Sequence, residues 1–183
     1  MRRTLFLASL ALILAACSGH TVHRVEVDLL SFVPETNRTG NLDLAQAEVR
    51  VPDDPAGQEI LLHGAEALED GRIALRVTLR NTGTLPTDLT LEVRAGPQGD
   101  TDLYDDNGGD FVVKSSSLSL APGESGPLEA EVSVQPGSPL YDLIKGGAFR
   151  LGARVQIRSG DRVEYTLEQA EVVLRLRLFK LIP

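Results

Sequence analysis

The chain has 183 residues, of which 26 are acidic and 18 basic, giving a formal net charge of −8. This excess of negative charge argues against nucleic acid as a partner, because binding to phosphates requires clustered lysine and arginine. Aromatic residues make up 4% of the chain and tryptophan is absent, so we expect an aliphatic core and no aromatic platform for sugars. The length suits one domain with a hydrophobic core.

The first sixteen residues have the pattern of a secretory signal peptide. Arg2 and Arg3 precede an apolar run, residues 4–16, which has about the length of a signal-peptide hydrophobic region and is too short to span a bilayer. The run ends at Cys17, the only cysteine in the chain, so no second thiol can pair with it or act with it in catalysis. The alternative to a functional role is that Cys17 is simply a small hydrophobic residue within the apolar run. We interpret residues 1–16 as a signal peptide.

Residues 14–17, LAAC, resemble the lipobox of bacterial lipoproteins, in which the cysteine is diacylated and becomes the new N-terminus. The resemblance implies that Cys17 carries the lipid, that residues 17–24 form a lipidated tether and that membrane lipid is a partner. Several acyl chains make a durable anchor where one gives only marginal binding. In lipoproteins retained in the inner membrane, the resemblance implies an aspartate directly after the cysteine, and this chain has Ser18 there. We therefore expect a cell-envelope protein, at the outer membrane facing the periplasm if the cell has two membranes.

The residues after the tether, 25–183, are predicted to form a single β-sandwich domain. Val25, Val27 and Leu29 alternate with polar residues and predict the first strand. Residues 31–54 are rich in proline, asparagine, threonine, glycine and aspartate, which predicts a long irregular connection with one short strand in AEVRVP. The following segment, EILLHGAEAL, fits either a strand or a short helix.

Strict alternation predicts the central strands. In RIALRVTLR the residues on the apolar face are Ile73, Leu75, Val77 and Leu79. TDLTLEVRA, PLEAEVSV and FRLGARVQI alternate in the same way, with turn sequences such as Asn-Thr-Gly and Pro-Gly between the strands. This spacing predicts an all-β fold, an antiparallel sandwich with at most one or two short helices. One helix is predicted at Pro139 to Lys145, with Ser138 as its N-cap.

The last predicted strand, Ala170 to Ile182, is apolar on both faces. Val173, Phe179 and Leu181 add apolar groups to the face that alternation would leave polar. Such a strand is either central in its sheet and covered, or an exposed edge that binds a partner. The sequence leaves both interpretations open.

The middle of the chain, residues 73–134, holds a strand, an N-T-G-T turn, a second strand, an acidic loop and the sequence LSLAPGES before another strand. This order resembles the immunoglobulin-like modules of secreted bacterial proteins, including the cell-adhesion-related CARDB domains. The resemblance covers about a third of the chain and implies an immunoglobulin-like β-sandwich. Asparagine and glycine at the turn tolerate the backbone conformations that a connection between strands demands.

The acidic loop DTDLYDDNGGD is the candidate binding site. Its oxygen-bearing side chains are Asp100, Asp102, Asp105, Asp106, Asn107 and Asp110. Calcium takes about six to eight oxygen ligands, so weak calcium binding by these six residues is one hypothesis. The spacing does not match the EF-hand pattern, and a solvated acidic loop at one end of a sandwich is the alternative.

Sequence motifs of catalysis are missing from the chain. It has no G-x-S-x-G elbow, no glycine-rich phosphate loop and only three histidines, without an evident third zinc ligand. We therefore expect a membrane-anchored extracytoplasmic lipoprotein that is not an enzyme and acts as a binding or structural module of the cell envelope, with an envelope protein as a further partner. The alternatives are an envelope hydrolase or accessory subunit whose site is assembled from separated loops, and a calcium-stiffened adhesion module.

Overall fold

The computed structural model describes residues 22–43 and 48–177, so Cys17 and residues 178–182 of the last predicted strand lie outside the described residues. The strands are β1 Val22–Asp28, β2 Thr39–Asp43, β3 Glu48–Val51, β4 Gln58–Leu61, β5 Leu68–Asn81, β6 Thr87–Pro97, β7 Phe111–Leu120, β8 Ser125–Val134, β9 Ala148–Ser159 and β10 Arg162–Arg177. One α-helix, α1, spans Pro139–Lys145, and short 3-10 helices span Leu29–Phe32, Glu35–Asn37 and Ala65–Ala67.

The strands form two antiparallel sheets. Sheet A has the order β1-β10-β5-β8, with β2 also paired to β10. Sheet B has the order β3-β9-β6-β7, with β4 also paired to β9. The prediction of an all-β, immunoglobulin-like antiparallel sandwich is confirmed. The helix is also as predicted, because the Ser138 hydroxyl accepts a hydrogen bond from the backbone N–H of Tyr141 at the start of α1.

The core lies between the sheets and is built from the alternating apolar residues. Ile73, Leu75, Val77 and Leu79 of β5 are all buried. On the outer face of sheet A, arginines of β5 pair with glutamates of β8 and β10, including Arg72 with Glu171 at 2.6 Å and Arg76 with Glu168 at 3.0 Å. The period of two thus separates an aliphatic interior from a charged exterior.

Strand β10 is central in sheet A, between β1 on one side and β5 on the other. Val172, Leu174 and Leu176 are buried on its inner face, and Val173 is buried as well. For residues 170–177, the interpretation as an ordinary core strand is therefore confirmed. Residues 178–182, with Phe179 and Leu181, lie outside the described part of the chain.

The N-terminal segment contains more strand than the sequence predicts. Strand β1 begins at Val22, within the segment predicted as tether. Residues 31–54 contain two strands, β2 and β3, where one was predicted. Strand β2 includes Gly40, where a side chain would lie only 2.8 Å from the ring of Tyr165. The packing of Tyr165 therefore favours glycine at this position, although glycine has a poor propensity for strands. The ambiguous EILLHGAEAL segment forms both β4 and a 3-10 helix.

The sandwich has two distinct ends. The tether end holds Val22, which pairs with Arg177, and Leu61, which pairs with Ala148. Helix α1 packs Leu140, Tyr141 and Ile144 against the core at this end, between the end of β8 and the start of β9. The far end holds the turns at residues 82–86, 121–124 and 160–161. In the part of the chain that the structure describes, no helix has the length and hydropathy of a membrane span.

Candidate functional site

The acidic loop, residues 98–110, folds back over the outer face of sheet B. Leu103 is fully buried there, and its backbone N–H donates to the carbonyl of Pro55 at 3.0 Å. The hydroxyl of Tyr104 donates to the carbonyl of Ala153 in β9 at 3.1 Å. The loop is therefore anchored to the sheet by an apolar side chain and a buried aromatic ring.

Three glycines make room for this loop. A side chain at Gly57, which has a φ of +70°, would meet Leu103 at 2.5 Å, and one at Gly96 would meet the same leucine at 2.7 Å. A side chain at Gly152 of β9 would meet the Tyr104 hydroxyl at 2.5 Å. Because each contact is closer than a real Cβ tolerates, a side chain at any of these positions would force Leu103 or Tyr104 to move.

Three arginines lie around Tyr104 and bind the acidic side chains. The guanidinium carbons of Arg50 and Arg154 are 4.6 and 5.3 Å from the centre of the Tyr104 ring, within the range of cation–π contacts. Arg94, whose side chain is 2% exposed, donates to Asp110 at 2.6 Å and also binds Asp106. The loop thus covers Arg94 and supplies the two aspartates that pair with it.

The pKa values of Glu48 and Asp106 in the cluster are lowered, and that of Tyr104 is raised. Partial burial acts to raise the pKa of Glu48, but hydrogen bonds from Gln156 and Arg50 outweigh it and hold that pKa below its usual value. The hydrogen bond and charge of Arg94 lower the pKa of Asp106. Burial raises the pKa of Tyr104 far above that of a free tyrosine. These groups therefore stay fixed in charge near neutral pH.

The six predicted calcium ligands are not gathered around one point. Asp106 and Asp110 face Arg94, while the other carboxylates accept backbone N–H groups inside the loop. Asp100 accepts from Asp102, Asp102 from Tyr104, and Asp105 from Asn107. In residues 22–43 and 48–177, no group of three or more histidine, cysteine, aspartate or glutamate side chains is arranged to hold a metal.

Two buried carboxylate oxygens of the loop nevertheless lack a hydrogen-bond partner. They are Oδ2 of Asp100, a residue 6% exposed, and Oδ1 of Asp110. Both side chains approach Gly96, because a Cβ built there would lie 3.0 Å from Asp100 Oδ2 and 3.2 Å from the Asp110 Cβ. Calcium binding by the loop stays a prediction.

The sequence did not single out the arginines of this cluster. Arg94 occupies an outward position of an alternating strand, a pattern typical of solvent-exposed residues. It is buried because the loop that follows β6 folds back over it and brings Asp106 and Asp110, 12 and 16 residues further along the chain, against its guanidinium. A signal was nevertheless present: LYDDNGGD places a leucine and a tyrosine among acidic residues, as expected for a loop that packs on its own sheet.

A small apolar cavity of about 70 Å³ lies between the sheets. It is located where both edge strands are interrupted, between β1 and β2 in sheet A and between β3 and β4 in sheet B. Leu29, Val33 and Val51 are among the residues that line it. Ligand pockets usually have volumes of about 300–1,000 Å³, so this cavity is smaller than a usual ligand pocket.

Hydrogen bonds brace the turns of the far end against each other. Asn81 is fully buried, and its side-chain amide donates to the carbonyls of Leu85 at 2.8 Å and Leu120 at 3.1 Å. Asp161 accepts from the backbone N–H of Thr84 at 3.0 Å and from the Thr84 hydroxyl at 3.1 Å. Leu85, 56% exposed, is thereby presented on a rigid surface.

A family model described as the prokaryotic membrane lipoprotein lipid attachment site matches residues 1–18. This match confirms the lipobox resemblance, and an attachment site of this kind implies a lipid-anchored protein of the cell envelope. No curated protein matches the chain.

The chain is similar to several solved structures at low identity. A structure of infectious bursal disease virus, Gx strain, is 7% identical over 86% of this chain and 34% of its own, with a TM-score of 0.39. The CBM22-1–GH10 modules of Clostridium thermocellum xylanase 10B with xylohexaose are 11% identical over 90% of this chain and 26% of their own, with a TM-score of 0.40. TmCBM61 with β-1,4-galactotriose is 16% identical over 83% and 84%, with a TM-score of 0.33. The chain spans about a third or less of the first two, and similarity of this degree carries no information about function.

Proposed function

We propose that this protein is an extracytoplasmic lipoprotein in which acylated Cys17 holds a non-enzymatic binding or structural module at the cell envelope. The observation that carries the proposal is the arrangement of the two ends of the sandwich. Strand β1 begins at Val22, five residues after Cys17, so the tether end lies within about 17 Å of the acylated residue. The far end is directed away from the membrane.

The far end has the properties of a presentation surface. Its turns are ordered by the buried side chain of Asn81 and by Asp161 rather than by contact with a partner. A surface that is already rigid loses little conformational entropy on binding. Exposed Leu85 and Pro86 supply apolar area to such a contact.

The buried polar groups support a non-enzymatic role. In the cluster at the acidic loop, Glu48 is paired with Arg50, and Asp106 with Arg94, so these four groups with shifted pKa values are already engaged in ion pairs. The cavity between the two sheets is small and apolar. A catalytic pocket instead brings a substrate-sized cavity together with free groups of perturbed pKa.

Anchoring also makes weak binding useful. A tethered module shares the thin layer of the envelope with its partners, so its effective concentration is high and even a weak contact can be populated. We propose that this layer is the outer membrane facing the periplasm in a cell with two membranes, because Ser18 follows the acylated residue.

Fractionation of cells that produce the full chain tests the anchor and its location. We expect the wild type in the outer-membrane fraction, Ser18→Asp in the inner-membrane fraction and Ser18→Ala unchanged. Cys17→Ala should lose the acyl mass. A wild-type chain that is secreted without an acyl mass would overturn the proposal.

Photo-crosslinking tests the binding role. A crosslinker at position 85 should give an adduct of defined mass, while a crosslinker at exposed Ser117, in the middle of β7, should not. Equal adducts from both positions, or none from position 85, would contradict binding at the far end.

A further inference from the structure

We infer that the free edge of β1 pairs with β1 of a second copy of this chain, in an antiparallel arrangement that is centred on Val25 and places Arg24 opposite Glu26 of the second copy. This inference goes beyond the proposed function, because it names a partner for a surface that the proposal does not use. It takes from that proposal only the membrane anchor, which brings the copies together.

The first argument is that one edge of sheet A is open. Among the residues that the structure describes, β1 pairs with β10 alone and is the last strand of the sheet beside residues 171–177. An edge strand directs every second backbone N–H and C=O away from its sheet, where another extended chain can pair with them. Strand β1 is seven residues long and contains neither proline nor glycine, so its backbone can accept a further strand.

The other edges of the two sheets are protected. Strands β7 and β8 form the opposite edges, and the Ser116 hydroxyl of β7 donates to the carbonyl of Glu129 in β8 at 2.7 Å, so the two edges lie against each other. Strand β8 also contains Pro127. Strands β2, β3 and β4 have only five, four and four residues. Short strands, proline and covered edges prevent pairing between sheets, and β1 has none of these features.

The sequence of β1, VHRVEVD, is complementary to itself. When two copies run antiparallel about Val25, Arg24 of each copy lies opposite Glu26 of the other, and His23 lies opposite Val27. This register keeps Val25 and Val27, which pack against the core, on the inner face of both copies. A shift by two residues would place Arg24 opposite Arg24 or Glu26 opposite Glu26, which is destabilising. The charges therefore select one register.

The charges beside β1 within one copy favour the same register. Arg24 lies beside Arg175 of β10, and Asp28 lies beside Glu171, so neither has an opposite charge in the neighbouring strand. Arg24 contacts Glu26 of its own strand at 2.9 Å, and both side chains are more than half exposed. In the pair, Arg24 gains Glu26 of the second copy directly opposite and Asp28 of the second copy on the diagonal, within reach of a long side chain.

The remaining charges do not supply these partners. Arg175 is 3.5 Å from Asp70, and Glu171 is 2.6 Å from Arg72, so both are engaged with β5. The acidic loop lies on the outer face of sheet B, where Arg94 binds two of its aspartates. The formal net charge of −8 opposes the approach of two copies. We therefore expect the pair to be weak in dilute solution and to form where the anchors concentrate the copies in one membrane.

Two copies paired in this way can share one bilayer. The two Val22 residues lie about 20 Å apart along the paired strands, at about 3.4 Å per residue. Each tether spans up to about 17 Å, so both acylated residues can enter the same membrane. Neighbouring strands are rotated by about 20–25°, so the two bodies are inclined to each other, and two-fold symmetry turns both tether ends to one side. Both far ends then point away from the membrane.

Disulfide crosslinking at position 25 tests the pairing in cells that produce the full chain. Residues directly opposite in an antiparallel pair have Cα atoms about 4.5–5.5 Å apart, a distance that a disulfide bridges. Val25→Cys should therefore give an oxidised dimer of twice the mass of the chain. Val113→Cys is the matched control and should stay monomeric, because Val113 is also a half-buried valine of an edge strand. The wild type controls for Cys17, whose thiol acylation consumes.

Charge reversal in the Val25→Cys chain tests the register. Arg24→Glu alone or Glu26→Arg alone should lower the crosslinked fraction at least about threefold, because each places like charges opposite each other twice in the pair. When these two variants are produced together with different epitope tags, crosslinking between them should return, because their charges are complementary. The chain with both substitutions should also crosslink as well as the Val25→Cys parent.

Three results would overturn the inference: no dimer from Val25→Cys, equal dimers from Val25→Cys and Val113→Cys, or an adduct at position 25 whose mass shows a different partner. Crosslinking that neither single charge variant weakens would overturn the register with Arg24 opposite Glu26. The acyl mass of the same chains tests the proposed function separately. A chain that lacks the acyl mass but still forms the dimer at position 25 would overturn the anchor and leave the pairing intact.

Discussion

The buried guanidinium of Arg94 donates to the carboxylate of Asp110 at 2.6 Å, which joins the middle of β6 to the end of the loop that covers it. The side chain of Asp110 is fully buried and that of Arg94 is 2% exposed. A charge pair in such a place stabilises the fold only while both partners are present, because either charge alone is costly to bury.

Arg94→Met should therefore destabilise the protein by about 3–5 kcal/mol, the usual cost of leaving one member of a buried ion pair unpaired. Urea denaturation measures the effect. Arg80→Met is the matched control, because Arg80 is exposed and only 3.8 Å from Glu164, and it should cost less than about 1 kcal/mol. Adding Asp110→Asn to Arg94→Met should recover part of the loss. If the two arginine variants are equally stable, the cluster has no structural role.

Asn81→Ala should loosen the far end. The substitution removes the donors to the carbonyls of Leu85 and Leu120 and leaves polar groups without partners in a buried site, at a cost of about 3 kcal/mol. Exposed Asn107→Ala is the control and should change stability little. Urea denaturation gives the free energies, and hydrogen exchange should show faster exchange in residues 82–86 and 121–124. Protection that is unchanged in these turns would contradict the bracing role of Asn81.

Protonation of Asp161 should contribute to the loss of stability in acid. Hydrogen bonds from the backbone and hydroxyl of Thr84 hold the pKa of Asp161 below its usual value. A carboxylate whose pKa is lowered by folding stabilises the folded state above its unfolded-state pKa of about 3.9, and this contribution disappears as the pH falls through the lower folded-state pKa. Asp161→Asn should lower stability at pH 7 and make the decline between about pH 4 and pH 2 shallower. Parallel profiles of wild type and variant would exclude this contribution.

Gly152→Ala should displace Tyr104 from sheet B, because the new methyl group would overlap the tyrosine hydroxyl. The pKa of Tyr104, raised by burial in the wild type, should then move toward its usual value. Ultraviolet titration of the tyrosines measures the change, and limited proteolysis should cut residues 98–110 faster. Gly99→Ala is the control, because a side chain there meets no atom within 4 Å. Identical titration curves for the two variants would contradict the packing of the loop.

Calcium should raise the melting temperature modestly if it binds the loop through the buried oxygens of Asp100 and Asp110 that have no hydrogen-bond partner. With two such carboxylates and Arg94 nearby, binding should be weak and should require millimolar concentrations, as in extracellular calcium sites of low affinity. Asp100→Asn should remove the shift, whereas Glu129→Gln, on the outer face of sheet A, should retain it. An identical melting temperature in calcium and in chelator would rule out the calcium hypothesis.

The predictable features of this protein are those encoded locally. Alternation in β5 predicts which residues are buried, because a strand between a core and solvent repeats every two residues. Ser138 predicts the start of α1, because an N-cap acts within one turn. Strand β2 could not be predicted because its glycine, Gly40, is explained only by the ring of Tyr165, which is far away in the sequence. The burial of Arg94 could not be predicted for a related reason, since it depends on a loop that folds back onto the sheet.

Mass spectrometry of the N-terminal peptide from the native protein is the direct test of lipid anchoring through Cys17. We expect a peptide that begins at Cys17, with a diacylglyceryl group on the sulfur and a further acyl chain on the new N-terminus. A peptide that begins at another residue, or an unmodified Cys17 in the mature protein, would show that the protein is not anchored in this way.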